Sequence, residues 1–180
     1  MSTRFYIAAP IFTDAQLHVV CDIKEIIEDR KHDVFSPWHN SREIWKGRAP
    51  ADCTPEEREQ VLNDNINYLD WCSFLVSWVG GYEQGYTDPG VIWEMGYAKC
   101  LKNHREKLVI AGWPHTIAYI HDDDVRKGMN LMLAGTVDFV AVGISEMMSV
   151  IDIITNETLE ALTPTYSPTR LTQEQEAIKE

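Results

Sequence analysis

The stretch FLVSWVGGYEQGYTDPGVIWEMGYAKCLKN, residues 74–103, decides the fold: an apolar run, a glycine-rich loop, an Asp-Pro-Gly turn and then a helix. The run at 74–79 is continuous rather than alternating, as expected of a strand buried on both faces. After the loop, Asp88 is placed to cap, Pro89 to occupy the first helical position and Gly90 to let another group approach the backbone. The helix that follows carries Val91, Trp93, Met95, Tyr97, Ala98 and Leu101, so one acid, Glu94, stands among side chains that exclude water. Such surroundings raise a carboxyl pKa or demand a partner. The alternative is an ordinary solvated glutamate on an amphipathic helix.

The same strand-then-helix unit recurs outward from this stretch. Apolar runs occur at residues 5–9, 34–35, 108–111 and 139–142, and helical spacing at 14–30, 55–71, 89–103, around 125–133 and at 145–162. Five short strands alternating with helices predict an α/β three-layer sandwich, flavodoxin-like or Rossmann-like, with a five-stranded parallel sheet. In such sheets ligands bind beyond the carboxyl ends of the strands, where the strand order reverses. Residues 1–163 are read as one domain and the Pro-interrupted polar stretch 164–180 as a loose tail.

The chain has 180 residues, 44% of them hydrophobic, and a formal charge of −12. That charge argues against nucleic acid, which needs clustered Lys and Arg to displace counterions. Cys21, Cys53, Cys72 and Cys100 lack the spacing of a zinc site or a disulfide framework and suggest a reducing cytoplasm. The apolar start of the chain is too short to span a bilayer and reads as a first strand, so no membrane partner is expected.

Several clusters admit a functional and a plain reading. Neither GxGxxG nor GxxxxGK[ST] is present, so the sheet binds something other than a dinucleotide or an NTP on a P-loop. Thr13 or Asp14 caps the next helix, and Phe12 either faces the mouth of a site or belongs to the core. Asn63, Asp64, Asn65 and Asn67 either hydrogen-bond a polar ligand or cap a frayed helix end. The run from His121 to Asp124 looks like a metal site, but contiguous acids more often form a solvated helix start, and no metal site is assigned. Residues 36–54, with Trp38 and Trp45, read as a lid.

Taken together, Tyr6, the 12–16 stretch, the Asn63-Asp64-Asn65 cluster, the segment from Asp88 through Glu94 to Ala98, and Asn130-Leu131-Met132 resemble the nucleoside 2-deoxyribosyltransferases. The resemblance implies a flavodoxin-like fold and exchange of the base on a 2′-deoxynucleoside, with no metal or organic cofactor. Its partners are then deoxynucleosides and free nucleobases. Carried over, Glu94 is the nucleophile at the anomeric carbon and Tyr6 orients it. Asp88 and Asp64 hold the base, with Asp88 the better proton donor, and Phe12 lies against the base. Asn130 and Met132 close over the sugar of a neighbouring subunit, which implies a homo-oligomer built from dimers.

The chemistry suits these residue types. A carboxylate beneath the ring stabilises an oxocarbenium-like state and can trap it with retention, as in retaining glycosidases. This reading expects Glu94 ionised and Asp88 or Asp64 with a raised pKa. In the 36–54 loop, His39, Asn40 and Glu43 are candidates for a further contact to the base. Two rivals remain. One is hydrolysis of 2′-deoxynucleoside 5′-monophosphates, whose enzymes bind phosphate with Gly, Ser and Arg after the first strand. Here Ala8-Ala9-Pro10-Ile11-Phe12 offers neither glycine nor arginine, although Arg42 and Arg48 could compensate. The other is a non-catalytic nucleotide sensor, which would tolerate loss of Glu94 or Tyr6.

Overall fold

A computed structural model describes residues 2–40, 48, 50–80, 86–107, 115–121 and 131–156. Five strands, β1 (Arg4–Ala8), β2 (Asp33–Phe35), β3 (Phe74–Trp78), β4 (His115–Ile120) and β5 (Phe139–Val142), form one parallel sheet in the order β2-β1-β3-β4-β5. The helices are α1 (Asp14–Asp29), α2 (Pro55–Trp71), α3 (Pro89–Lys107), a short α4 (Leu131–Ala134) and α5 (Gly143–Asn156). From β1 the chain steps out to β2 and then returns past β1 to β3. That reversal opens a crevice between the carboxyl ends of β1 and β3. Among the described residues no helix is long and apolar enough to cross a membrane.

Alternation along the strands sorts the core into two layers. Phe5 and Ile7 of β1 pack with Phe74, Val76 and Trp78 of β3 against Val20, Ile23 and Ile27 of α1 and Met147, Ile151 and Ile154 of α5. Tyr6 and Ala8 point to the opposite face, with Leu75, Leu69 of α2, and Val91, Met95 and Ala98 of α3. Parity therefore puts the Tyr6 side chain under α3. The helix starts follow the sequence: Thr13 and Gln16 form a capping box on α1, and Thr54 and Glu57 form one on α2, where Pro55 takes the first position.

The fourth strand lies later than expected. Residues 115–120 pair with β3 from Phe74↔His115 to Trp78↔Tyr119, while the stretch 108–111 lies outside the described residues. A strand buried on both faces has no alternation to mark it, so its place along the chain is fixed by pairing rather than by pattern. Here β4 is anchored at its first residues. Asp138, just before β5, accepts from the Thr116 backbone N–H at 2.9 Å and from Lys102 of α3 at 2.5 Å, with His115 Nδ1 at 3.5 Å. Residues 157–162, read as the end of the last helix, and the tail 164–180 also lie outside the described residues.

Candidate functional site

The crevice at the strand reversal is a cleft of about 470 Å³. Ala9, Ile11 and Phe12 from the segment after β1 form one wall. Pro37 and Trp38 follow β2, Val61 and Asn65 come from α2, and Asp88, Gly90, Val91 and Glu94 come from the start of α3; Arg48 completes the lining. The walls are mainly apolar and the polar groups few, as in sites that orient a small ligand.

Glu94 is the acid of this cleft. It is 8% exposed, and the Tyr6 hydroxyl donates to its Oε1 at 2.5 Å, joining residues 88 apart in sequence. Burial of the carboxylate, opposed by the Tyr6 hydrogen bond and reinforced by the negative charge of Asp88, pushes the Glu94 pKa up to about 8. Removal from water thus outweighs the one hydroxyl donor and favours the protonated form, against the expectation of an ionised Glu94. The Tyr6 hydroxyl is itself raised well above its usual range, by burial first and then by the adjacent carboxylate, so it remains a donor. Replacing Tyr6 by Phe should raise the Glu94 midpoint further, by about one unit. Titration of the Glu94 carboxyl by ¹³C NMR reads this directly, and a wild-type midpoint near 4.5 would mean a solvated side chain.

Asp88 ends the loop into α3 as its cap. Its Oδ1 accepts from the backbone N–H of Gly90 at 2.8 Å and of Val91 at 3.2 Å. A Cβ at position 90 would stand 2.9 Å from that same oxygen, so Gly90 is what lets Asp88 fold back over the helix start. The cap leaves Asp88 on the cleft wall, in electrostatic contact with Glu94.

The structure thus brings Tyr6, Phe12, Asp88 and Glu94 together. Phe12 is 62% exposed and lines the cleft, so it stands at the mouth rather than in the core. Asp64 is half-buried and is not among the lining side chains; Asn65 is. On α2, Val61, Asn65 and Leu69 recur every four residues and share one face, which places a polar side chain on the inward stripe. That spacing was the available signal for Asn65. Its Oδ1 is buried without a hydrogen-bond partner among the described residues. Met132, on α4, is 81% exposed and does not line the cleft, and Asn130 lies outside the described residues.

Among the described residues of the 36–54 segment, Pro37, Trp38 and Arg48 reach the cleft. His39 instead approaches Cys21 of α1 at 3.8 Å, Asn40 accepts from the Ser36 N–H at 3.4 Å, and Glu43 lies outside the described residues. Arg48 is ion-paired to Glu57 at 2.8 Å. Asp122, Asp123 and Asp124 also lie outside the described residues. No group of three or more metal-ligating side chains occurs among the described residues.

A buried carboxyl held by a hydroxyl at the floor of a largely apolar cleft can stabilise a cationic centre or add to an electrophilic carbon. Residues 5–132 match the family model for nucleoside 2-deoxyribosyltransferase. Among solved structures, a 2-deoxyribosyltransferase from the psychrotolerant bacterium Bacillus psychrosaccharolyticus is 19% identical, with 89% of this chain and 96% of that one covered at a TM-score of 0.58, which shows a shared fold. A conserved protein from Enterococcus faecalis V583 is more distant, at 17% identity over 83% of this chain and 88% of its own with a TM-score of 0.47. No curated protein matches the sequence significantly.

Proposed function

The chain belongs to the nucleoside 2-deoxyribosyltransferase family, and from that membership we propose that it moves the 2-deoxyribosyl group between the bases of 2′-deoxynucleosides through a covalent ester on Glu94. The observation that carries this reading is the buried Tyr6–Glu94 pair at the floor of a cleft whose wall holds Asp88 and whose mouth holds Phe12. In the first displacement Glu94 Oε attacks C1′, the N-glycosidic bond breaks and the base departs with a proton. In the second, a nitrogen of the incoming base attacks C1′, the ester bond breaks and the incoming base gives up its proton. Two inversions retain the β configuration.

The raised pKa of Glu94 suits this sequence. A carboxylate is costly in so buried a position, but positive charge growing on the sugar offsets that cost, so the stabilisation is felt mainly in the transition state. The proton that Glu94 sheds is the one the departing base requires, and Asp88 is the neighbouring group to pass it on. Tyr6 keeps the ionised carboxylate aimed. Phe12 and Trp38 supply apolar surface for the base, and Asn65, in place of Asp64, reads its polar edge. The protein would act in the cytoplasm on free deoxynucleosides and bases, as a homo-oligomer in which Asn130 and Met132 close over a neighbouring site.

The test is chromatography of protein incubated with 2′-deoxyinosine, with and without adenine. Formation of 2′-deoxyadenosine is expected, and its absence with every deoxynucleoside and base overturns the reading. A second reading, hydrolysis of 2′-deoxynucleoside 5′-monophosphates, would have Arg48 on the cleft wall exchange its pairing with Glu57 for a substrate phosphate. Release of free base from a 5′-monophosphate without exchange would select it.

A further inference from the structure

Among the described residues that line the cleft, Arg48 is the only basic one, while Asp88 and Glu94 are the acids. A 5′-phosphate would turn a neutral deoxynucleoside into an anion, and Arg48 is the described side chain able to meet it. Arg48 already faces a carboxylate. Its guanidinium Nη2 donates to Glu57 Oε1 at 2.8 Å. Glu57 is fixed in turn by the start of α2. Its Oε2 accepts from the Thr54 N–H at 2.9 Å, and its own N–H donates to Thr54 Oγ1 at 3.2 Å, which together make the capping box of that helix. The hydrogen bonds from Arg48 and from the Thr54 backbone hold the Glu57 carboxyl below its ordinary range, so it is ionised at neutral pH. Asp52 adds a further negative charge near the guanidinium.

We propose that Glu57 determines specificity for the phosphorylation state of the substrate: by cancelling the charge of Arg48 it makes the cleft select unphosphorylated deoxynucleosides over their 5′-monophosphates. Glu57 has this role only if the cleft takes deoxynucleosides, as proposed above. It does not line the cleft itself and acts through Arg48. A phosphate approaching Arg48 meets a pair whose net charge is zero, with Asp88 on the same cleft wall and a chain of net charge −12 around it. An ion pair as exposed as this one is weak. Its influence on a ligand is therefore the loss of a net attractive charge, and the cost of breaking the pair matters less. A neutral nucleoside does not feel that loss, so the pair separates two substrates that share the same base and sugar.

Titration calorimetry of the full chain with 2′-deoxyinosine and with its 5′-monophosphate tests this, in the wild type, in Glu57→Gln and in the double variant Glu57→Gln/Arg48→Gln. Glutamine serves in a capping box as glutamate does, so the circular dichroism of the fold should be retained. The wild type should bind the nucleoside more tightly than the monophosphate. In Glu57→Gln the monophosphate should gain about 10-fold relative to the nucleoside, with the gain shrinking as salt is added. The double variant should lose that gain, because the attraction belongs to Arg48. A wild type that prefers the monophosphate, a ratio unchanged in Glu57→Gln, or a gain that survives removal of Arg48 overturns the proposal. A ratio that shifts as expected in a protein that exchanges no bases counts against the activity alone, whereas a wild type that binds neither compound overturns both.

Discussion

Glu94→Gln should abolish base exchange, by roughly 10³-fold or more, and leave a protein more stable than the wild type. The loss follows from the proposed chemistry, since an amide can neither form the glycosyl ester nor balance the charge on the sugar. The gain follows from burial. Glu94 titrates near 4.5 when unfolded but at about 8 in the folded protein, so the folded state binds this proton more tightly. Between those values the unfolded chain is ionised while the folded one still holds its proton, and stability falls as pH rises. Across that window the wild type should lose up to about 5 kcal/mol, most of it gone by the time the pH passes the folded value. Glutamine keeps an oxygen for the Tyr6 hydroxyl and does not titrate. Urea unfolding at about pH 5 and pH 9 should therefore show the advantage of Glu94→Gln growing with pH. A variant that exchanges bases at wild-type rates would sink the nucleophile assignment, and an advantage independent of pH would sink the buried-carboxyl account.

The second large effect belongs to the opposite end of the sheet. Lys102→Ala should destabilise the fold by about 3 kcal/mol, because it leaves Asp138 sharing its remaining hydrogen bonds without the cation. Burial alone would raise the Asp138 pKa, but hydrogen bonds from His115, Lys102 and the Thr116 backbone, with the Lys102 charge, overcome it and hold the carboxyl at about 2. A folded value below the unfolded 3.8 means a contribution fully present above pH 3.8 and lost as pH falls through about 2. It is worth about 2 kcal/mol, less what solvent screens. In Lys102→Ala that acid limb should move to higher pH. Acid titration of the two proteins followed by circular dichroism checks the shift, and coincident acid transitions would show that the ammonium does not stabilise Asp138.

The exposed part of α3 teaches something about its sequence. The sequence counts Trp93 among the side chains that exclude water from Glu94, yet Trp93 is 46% exposed, and Glu94 is kept from water on the side of β1, where Val91 and Met95 are buried with Tyr6. Absence of a polar face therefore does not tell which of a helix's apolar residues are buried.

What the sequence determined by itself was local. Capping residues, turn residues and apolar runs set where most strands and helices begin and end, because those preferences depend on neighbours within a few positions. Thr13, Thr54 and the Asp-Pro-Gly turn are of this kind, and so is the alternating order that makes the sheet parallel. The family was legible as well, since its motifs are short and fall in order. Tertiary structure decided where β4 pairs, which member of the Asn-Asp-Asn cluster lines the cleft, and how strongly Glu94 holds its proton. Each of these depends on groups far apart in sequence: strand pairing with β3, the rotation of α2 against β1, and the exclusion of water from a carboxyl by chain segments 88 residues apart. Pairing, rotation and desolvation are properties of packed surfaces, and they exist only once those surfaces have met.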